Sequence, residues 1–432
     1  MDTQLLFRNW GFTRNPFRDP VAELEHNSSS FFVMPPYFSE IVGNPNQLRS
    51  SFVFGHRGDG KSTLKVETQK ALEAAQPKPI IVEYSSFSDH SEEAAIKSLK
   101  LEDHLDKIVG YIINSLLIEV EREPTLLKRL NPAEIGRLQW YLFHFTPGLD
   151  WRESERRFSS ALNAVPRMEG WKRAGGKGVR SVKSYLMHKR VEFERSPGGS
   201  SIVNDVARLI FLLLAPEVPG SGSLKGQPNF NLLQDILNII VSAGFGGIVV
   251  LIDRVDETPL LNDRPDLAAR LILPLALAAP VLEMPGVSIK FFLPASILGL
   301  LGNKLRTDRV QTFHISWSDG ALETVLKKRL EAFSAGSTSS LDPFLEEGVK
   351  DDFYRIIFYY SAANPRNMLR LIDSIATELC NIYDTPNRID GLAIEAGLSK
   401  FRSIREGEFD VDEYLRRLKE RAEEPPKLSK SG

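Results

Sequence analysis

The chain reads as an α/β protein with a three-layer core around a parallel sheet. A large helical insertion interrupts that core and a C-terminal helical lid follows it. Three observations predict this. Gly55-His56-Arg57-Gly58-Asp59-Gly60-Lys61-Ser62 fits G-x-x-x-x-G-K-[ST], between the β-prone run Ser51–Phe54 and the helix-prone run Thr63–Leu72. Ile248–Ile252 is an uninterrupted apolar run ending in Asp253, the pattern of a strand buried on both faces. Residues 93–244 and 318–405 read as helical.

The elements follow in order. Residues 1–50 are irregular and aromatic, with Phe7, Trp10, Phe12, Phe17, Phe31, Phe32, Tyr37 and Phe38. So many rings predict a segment packed on the core, either as plain packing or near a ligand's ring system. Ser51–Phe54, the glycine-rich loop and its helix lead to a second strand, Pro79–Tyr84. Leu101, Leu105, Ile108, Val109, Ile112, Ile113, Leu116, Leu117 and Val120 form one apolar stripe of helical period. Glu134–Phe145, Trp151–Val165, Ile202–Leu214 and Phe230–Ser242 are further helices, with a Gly/Ser/Pro-rich loop over 216–228. After the Ile248–Ile252 strand, Leu267–Leu282 is a helix kinked at Pro274, and Ser288–Leu293 and Thr312–Ile315 are strands. Ala321–Phe333, Asp352–Ala362, a helix opened by Asn364-Pro365-Arg366, and Ile389–Phe401 complete the lid. The expected units are 1–50 packed on the core, 51–87 with 228–317 as the core, 88–227 as the insertion, 318–415 as the lid and 416–432 as a polar tail.

Composition bounds the function. A chain of 432 residues with 42% hydrophobic and 25% charged residues is ordinary for a soluble protein of two or three packed units. A net charge of −2 gives no global field for nucleic acid. Binding of that kind needs a local patch, and Arg167–Arg190 is the one basic stretch, to be read as a phosphate grip or as a solvated face. The lone Cys380 leaves no internal disulfide and no cysteine metal site, and its apolar helical setting predicts a buried thiol. The histidines show no metal-ligand spacing. The longest apolar runs, Ile202–Leu214 and Leu271–Leu282, fall short of the ~20 residues of a membrane span. No leader pattern opens the chain, so a cytoplasmic protein with no membrane contact is expected.

The chemistry concentrates on the glycine-rich loop. Gly55, Gly58 and Gly60 let the backbone aim N–H groups at phosphate oxygens, with Asp59 and Thr63 flanking the cradle. The helix that starts near Lys61 adds its positive end. Lys61 is expected on the β- and γ-phosphates and the Ser62 hydroxyl on Mg²⁺. Asp253, at the carboxyl end of a buried strand, is the expected metal carboxylate. Asp256 or Glu257 could polarise an attacking water. Ser296 could contact the γ-phosphate or that water, or serve only its turn. Either Arg306 or Arg309 could bring positive charge to the transferring phosphate, in cis or from a neighbouring subunit.

Taken together, these residues resemble the AAA+ and STAND-type ATPases. The Gly55–Ser62 loop, the Asp253-Arg254-Val255-Asp256-Glu257 ending, the polar-ended strand at Ser296, the Arg306/Arg309 pair and Asn364-Pro365-Arg366 stand in that group's order. The ending looks more like the STAND and KAP branches, since ring-forming members place the catalytic Glu directly after the Asp, where this chain has Arg254. The Asn-Pro-Arg start is similar to the lid motif of KAP and origin-recognition-type ATPases, which makes Arg366 the implied γ-phosphate sensor. The resemblance spans roughly residues 30–90 and 228–405 and implies a three-layer P-loop NTPase core that binds ATP and Mg²⁺. The insertion is far larger than a minimal AAA+ core needs. KAP proteins often carry membrane helices there, and none is expected here.

The leading expectation is a slowly hydrolysing ATP switch that controls a separately encoded protein partner or effector. The resemblance adds bacterial antiviral defence as a setting. Two alternatives stand beside it: a nucleic-acid remodelling or loading ATPase gripping phosphates through Arg167–Arg190, and a non-hydrolysing ATP-stabilised scaffold. The resemblance is compatible with a homo-oligomer.

Overall fold

The computed structural model describes residues 2–18, 31–87, 92–145, 151–165, 229–262, 264–406, 411–421 and 425. The basic stretch Arg167–Arg190, the Ile202–Leu214 helix and the 216–228 loop lie outside them.

Five parallel strands form one sheet in the order β2-β3-β4-β1-β5: β1 (Ser51–Gly55), β2 (Ile80–Tyr84), β3 (Ile248–Ile252), β4 (Val287–Pro294) and β5 (Gln311–His314). The three central strands are buried along their whole length; β3 is an unbroken apolar run, while β1 opens on Ser51 and β4 carries the buried Ser288 and Lys290. β5 is short and largely exposed, as suits an edge strand. Side chains alternate across the sheet, so each strand feeds two cores. Phe52, Phe54, Val82, Val250, Ile252, Phe291 and Leu293 face one apolar cluster. Val53, Val249, Leu251 and Phe292 face the other, with Leu64 and Leu72 of the helix Lys61–Glu73. Helices cover both faces, giving three layers.

The described part of the insertion is continuous with the first cluster. Every apolar position of the expected stripe is buried in the helix Leu101–Arg122, save Leu101, which is partly buried. Pro132–Phe145, Trp151–Ala164 and Asn229–Ser242 pack on it. The region expected to be one kinked helix is two, Pro265–Ala276 and Ala279–Leu282. Pro274 is accommodated inside the first, and the break precedes Pro280. None of the described helices is long and apolar enough to cross a membrane.

A second core belongs to the C-terminal helices Asp319–Phe333, Lys350–Tyr360, Pro365–Ile382 and Gly391–Glu406. Cys380 is buried there. The N-terminal aromatics divide between the cores. Leu6, Phe7, Trp10, Phe12, Phe17 and Phe31 join the C-terminal cluster, where Trp10 stacks on Phe344 at 4.6 Å and its indole N–H donates to the Asn387 carbonyl at 3.1 Å. Phe38, Ile41 and Leu48 join the sheet. The rings of residues 1–50 thus pack on both the sheet and the C-terminal helices. A further helix, Val411–Glu420, runs into the region expected to be a tail.

Candidate functional site

The glycine-rich loop leaves the carboxyl end of β1 and enters the helix Lys61–Glu73 through Gly60. Gly58 and Gly60 have φ of +87° and +92°, in the left-handed region that an L side chain resists. Gly58 is also crowded: a Cβ there would stand 2.7 Å from Asn364 Oδ1 and 2.8 Å from Arg366 Cβ. The start of the C-terminal helix Pro365–Ile382 therefore lies against the loop.

Asp59 ties the two together. Its fully buried carboxylate accepts from the His56 backbone N–H at 2.8 Å, from Asn364 Nδ2 at 2.9 Å, and from both terminal nitrogens of Arg417 at 2.8 and 3.1 Å. Its backbone carbonyl accepts from the Trp317 indole at 3.0 Å. Asn364 Nδ2 also donates to the Arg57 carbonyl at 2.9 Å, while Asn364 Oδ1 caps the helix by accepting from Asn367 N at 3.1 Å. Lys61 Nζ donates to the Gly55 and His56 carbonyls, both at 3.0 Å. Burial pushes its pKa down, against the opposing pull of Asp256, Asp59 and Asp253. Burial likewise depresses His56 to about 4, with Arg417 adding to the effect.

Asp253 follows β3 and is buried. Its Oδ1 accepts from the Arg254 N–H at 2.9 Å, and Lys65 Nζ, itself paired with Glu83 at 3.1 Å, stands 3.7 Å from Oδ2. Burial raises the Asp253 pKa; Lys65, the Arg254 N–H, Ser62 and Lys61 oppose the rise. Among the described residues, buried Oδ2 accepts no hydrogen bond. A buried carboxylate oxygen with no hydrogen bond among the described residues, near the Ser62 hydroxyl and only 3.7 Å from Lys65, fits a small oxygen-seeking cation, and Mg²⁺ takes few protein ligands when phosphates supply the rest. Among the described residues no cluster of three or more His, Cys, Asp or Glu forms a metal cage. Arg254 has φ of +60°, a strained turn just beyond the end of β3. Its guanidinium is 3.5 Å from Glu257, whose pKa burial raises while Arg254 opposes.

These pieces wall one cleft of about 510 Å³. Arg57, Lys61, Arg254, Arg329, Arg366 and Arg370 line it, against the acids Asp253, Asp256 and Glu257. Phe31, Phe32, Val33, Trp317, Val325, Pro365 and Leu369 make its apolar walls. Arg329 is buried across the rings of Phe31 and Phe333, at 4.7 and 5.1 Å, and donates to the Pro16 carbonyl. A cationic floor with an apolar wall suits a polyanion attached to a ring system.

No protein-family model matches the chain, and no curated protein matches it.

Of the residues singled out in the sequence, Gly58, Gly60, Lys61, Ser62, Thr63, Asp253, Asp256, Glu257 and Arg366 line the cleft. Asp59 and Gly55, both within the loop, are not among the lining: the Asp59 carboxylate is bonded to Asn364 and Arg417, and Gly55 packs against Ile315. Three more of the singled-out residues are not among the lining. Ser296 is exposed in the turn Ala295–Ile297 beyond β4. Arg306 is exposed and paired with Asp308 at 3.1 Å, and Arg309 is exposed and paired with Glu283 at 3.1 Å. A strand end and an arginine pair carry no direction in sequence. Arg57, Lys65, Trp317, Arg329, Arg370 and Arg417 also meet at the site. Arg57, inside the loop motif, and Lys65, one turn beyond Ser62 on the loop's own helix, carry a local signal in sequence; the others do not.

Proposed function

We propose that the cleft binds ATP with Mg²⁺ and that the protein is a slow ATPase switch controlling a separately encoded protein partner. One observation carries this reading. The glycine-rich loop with Ser62, the buried Asp253 carboxylate, and Arg366 come from three distant stretches of chain and meet on one cleft.

In this reading the loop's backbone N–H groups and the helix start at Lys61 receive the phosphates. Lys61 balances the β- and γ-oxygens, and Ser62 and Asp253 hold Mg²⁺. The ion, when bound, neutralises charge that develops on the phosphate oxygens. Glu257 orients the attacking water and takes its proton, a task its raised pKa favours. Asp256, on the same turn, is the alternative base. Arg366 contacts the γ-phosphate from the C-terminal unit, so that unit feels the difference between triphosphate and diphosphate. The apolar wall around Phe31, Phe32, Val33 and Leu369 takes the base. Arg306 and Arg309 have no part in this single-chain scheme.

The test is ATP binding and hydrolysis by the wild type, Lys61→Ala and Glu257→Gln. Lys61→Ala should abolish binding. Glu257→Gln should bind ATP and turn it over about 10²-fold or more slowly. Equal binding by wild type and Lys61→Ala would sink the proposal.

A further inference from the structure

The helix Val411–Glu420 reaches the glycine-rich loop from the far end of the described chain. Tyr414, Arg417 and Arg421 stand three and four residues apart, on one face. Tyr414 is buried, its hydroxyl donating to the Tyr360 carbonyl at 3.2 Å and its ring edge-on to Phe401. Arg421 donates to Asp319 at 2.6 and 2.8 Å and to the Phe358 carbonyl at 3.1 Å. Between these anchors Arg417 forks onto Asp59 and also donates to the Ala362 carbonyl at 3.3 Å. Ala362 and Ala363 both have φ of +51°, so Arg417 holds a strained connection immediately before Asn364.

Asp59 sets a problem that Arg417 solves. A fully buried carboxylate inside a loop built to receive phosphates opposes any anion placed there. Asn364 and His56 satisfy its oxygens but bring no positive charge through those bonds. We infer that Arg417 is a positioning residue for the glycine-rich loop: by neutralising Asp59 it allows the loop to accept a triphosphate, and it thereby couples occupancy of the cleft to docking of the helix Val411–Glu420. This rests on the nucleotide-binding reading above. Coupling is reciprocal, so nucleotide also tightens the docked helix. The element that reports occupancy to a partner is then this helix, whose outer face carries the exposed Leu415.

The experiment is calorimetric titration of the full chain with ATP and Mg²⁺, for wild type, Lys61→Ala, Arg417→Gln, Asp59→Asn and Asp59→Asn/Arg417→Gln. Hydrogen exchange of residues 411–420 is measured alongside. Arg417→Gln should weaken binding about tenfold or more. The double variant, with the buried charge removed, should recover most of that loss, and Asp59→Asn alone should bind at least as tightly as wild type. ATP should slow exchange in 411–420 in the wild type and not in Arg417→Gln. If the wild type binds and Arg417→Gln binds equally well, the coupling is overturned while the nucleotide reading stands. A double variant as weak as Arg417→Gln also overturns it, leaving Arg417 a structural clamp. Should Arg417→Gln fail to fold, loss of binding by Asp59→Asn overturns it and retention supports it. A wild type that binds no ATP removes the nucleotide reading and the coupling together.

Discussion

Lys65 and Asp253 face each other inside the protein, 3.7 Å apart and each almost wholly shielded from water. Lys65 belongs to the helix that the glycine-rich loop opens, and Asp253 ends a strand two places away in the sheet. The pair fastens the acidic end of β3 to the loop's helix. Removing Lys65 leaves the buried Asp253 carboxylate without its cation, which is the costly way to break a buried pair, whereas Lys65 keeps Glu83 at 3.1 Å if Asp253 is lost. Lys65→Met should destabilise the fold by about 3 kcal/mol or more. Asp253→Asn in the same background should return part of that loss, measured by urea unfolding. Simple additivity of the two substitutions would contradict the pairing.

His56 makes stability depend on pH. Its folded pKa is depressed from 6.5 to about 4, so between those values the unfolded chain binds more protons than the folded one. Stability therefore rises with pH across that window and falls on acidification through it. The melting temperature of the wild type should drop between pH 6.5 and 4 more steeply than that of His56→Asn. Parallel curves for the two proteins would remove His56 as the cause.

The two left-handed glycines of the loop should respond unequally to alanine. At Gly60 a new Cβ meets only Trp317 at 4.0 Å, so Gly60→Ala should cost the backbone strain, about 1–2 kcal/mol. At Gly58 the same methyl runs into Asn364 and Arg366. Gly58→Ala should cost clearly more and should loosen the C-terminal unit, seen as faster hydrogen exchange at the start of the helix Pro365–Ile382. A Gly58→Ala protein as stable as Gly60→Ala would argue against the close approach.

Arg306 and Arg309 provide a test of sharing between subunits. Both are exposed and bound to neighbouring carboxylates outside the cleft. Arg306→Ala/Arg309→Ala should leave ATP turnover unchanged at all protein concentrations. Turnover that rises with concentration in the wild type and fails to do so in the variant would place an arginine of one copy at the site of another.

Much of the molecule was written in local pattern. The apolar runs Phe52–Phe54, Ile248–Ile252 and Phe291–Leu293 announce strands buried on both faces, because such runs leave no polar face; the burial of Ser288 and Lys290 in β4 carries no such signal. The stripe from Leu101 to Val120 announces its helix, because one face must stay dry along its whole length. The glycine spacing announces a loop that must turn left-handed at Gly58 and Gly60, and Asn364-Pro365 announces a helix start through its cap and its missing N–H.

Other features took three dimensions to settle. Residues 416–421 look like a polar tail because their anchors are arginines, whose partners Asp59, Asp319 and Phe358 lie far away in sequence. The N-terminal rings read as core-packing without saying which core. Ser296, Arg306 and Arg309 stand in the expected order along the chain but point elsewhere, since order carries no direction. Sequence by itself determined the elements and the loop, because hydrophobic period and backbone chemistry act between near neighbours. The tertiary structure alone decided which charges meet, because a buried carboxylate such as Asp59 takes its partners from whatever the packing brings within 3 Å.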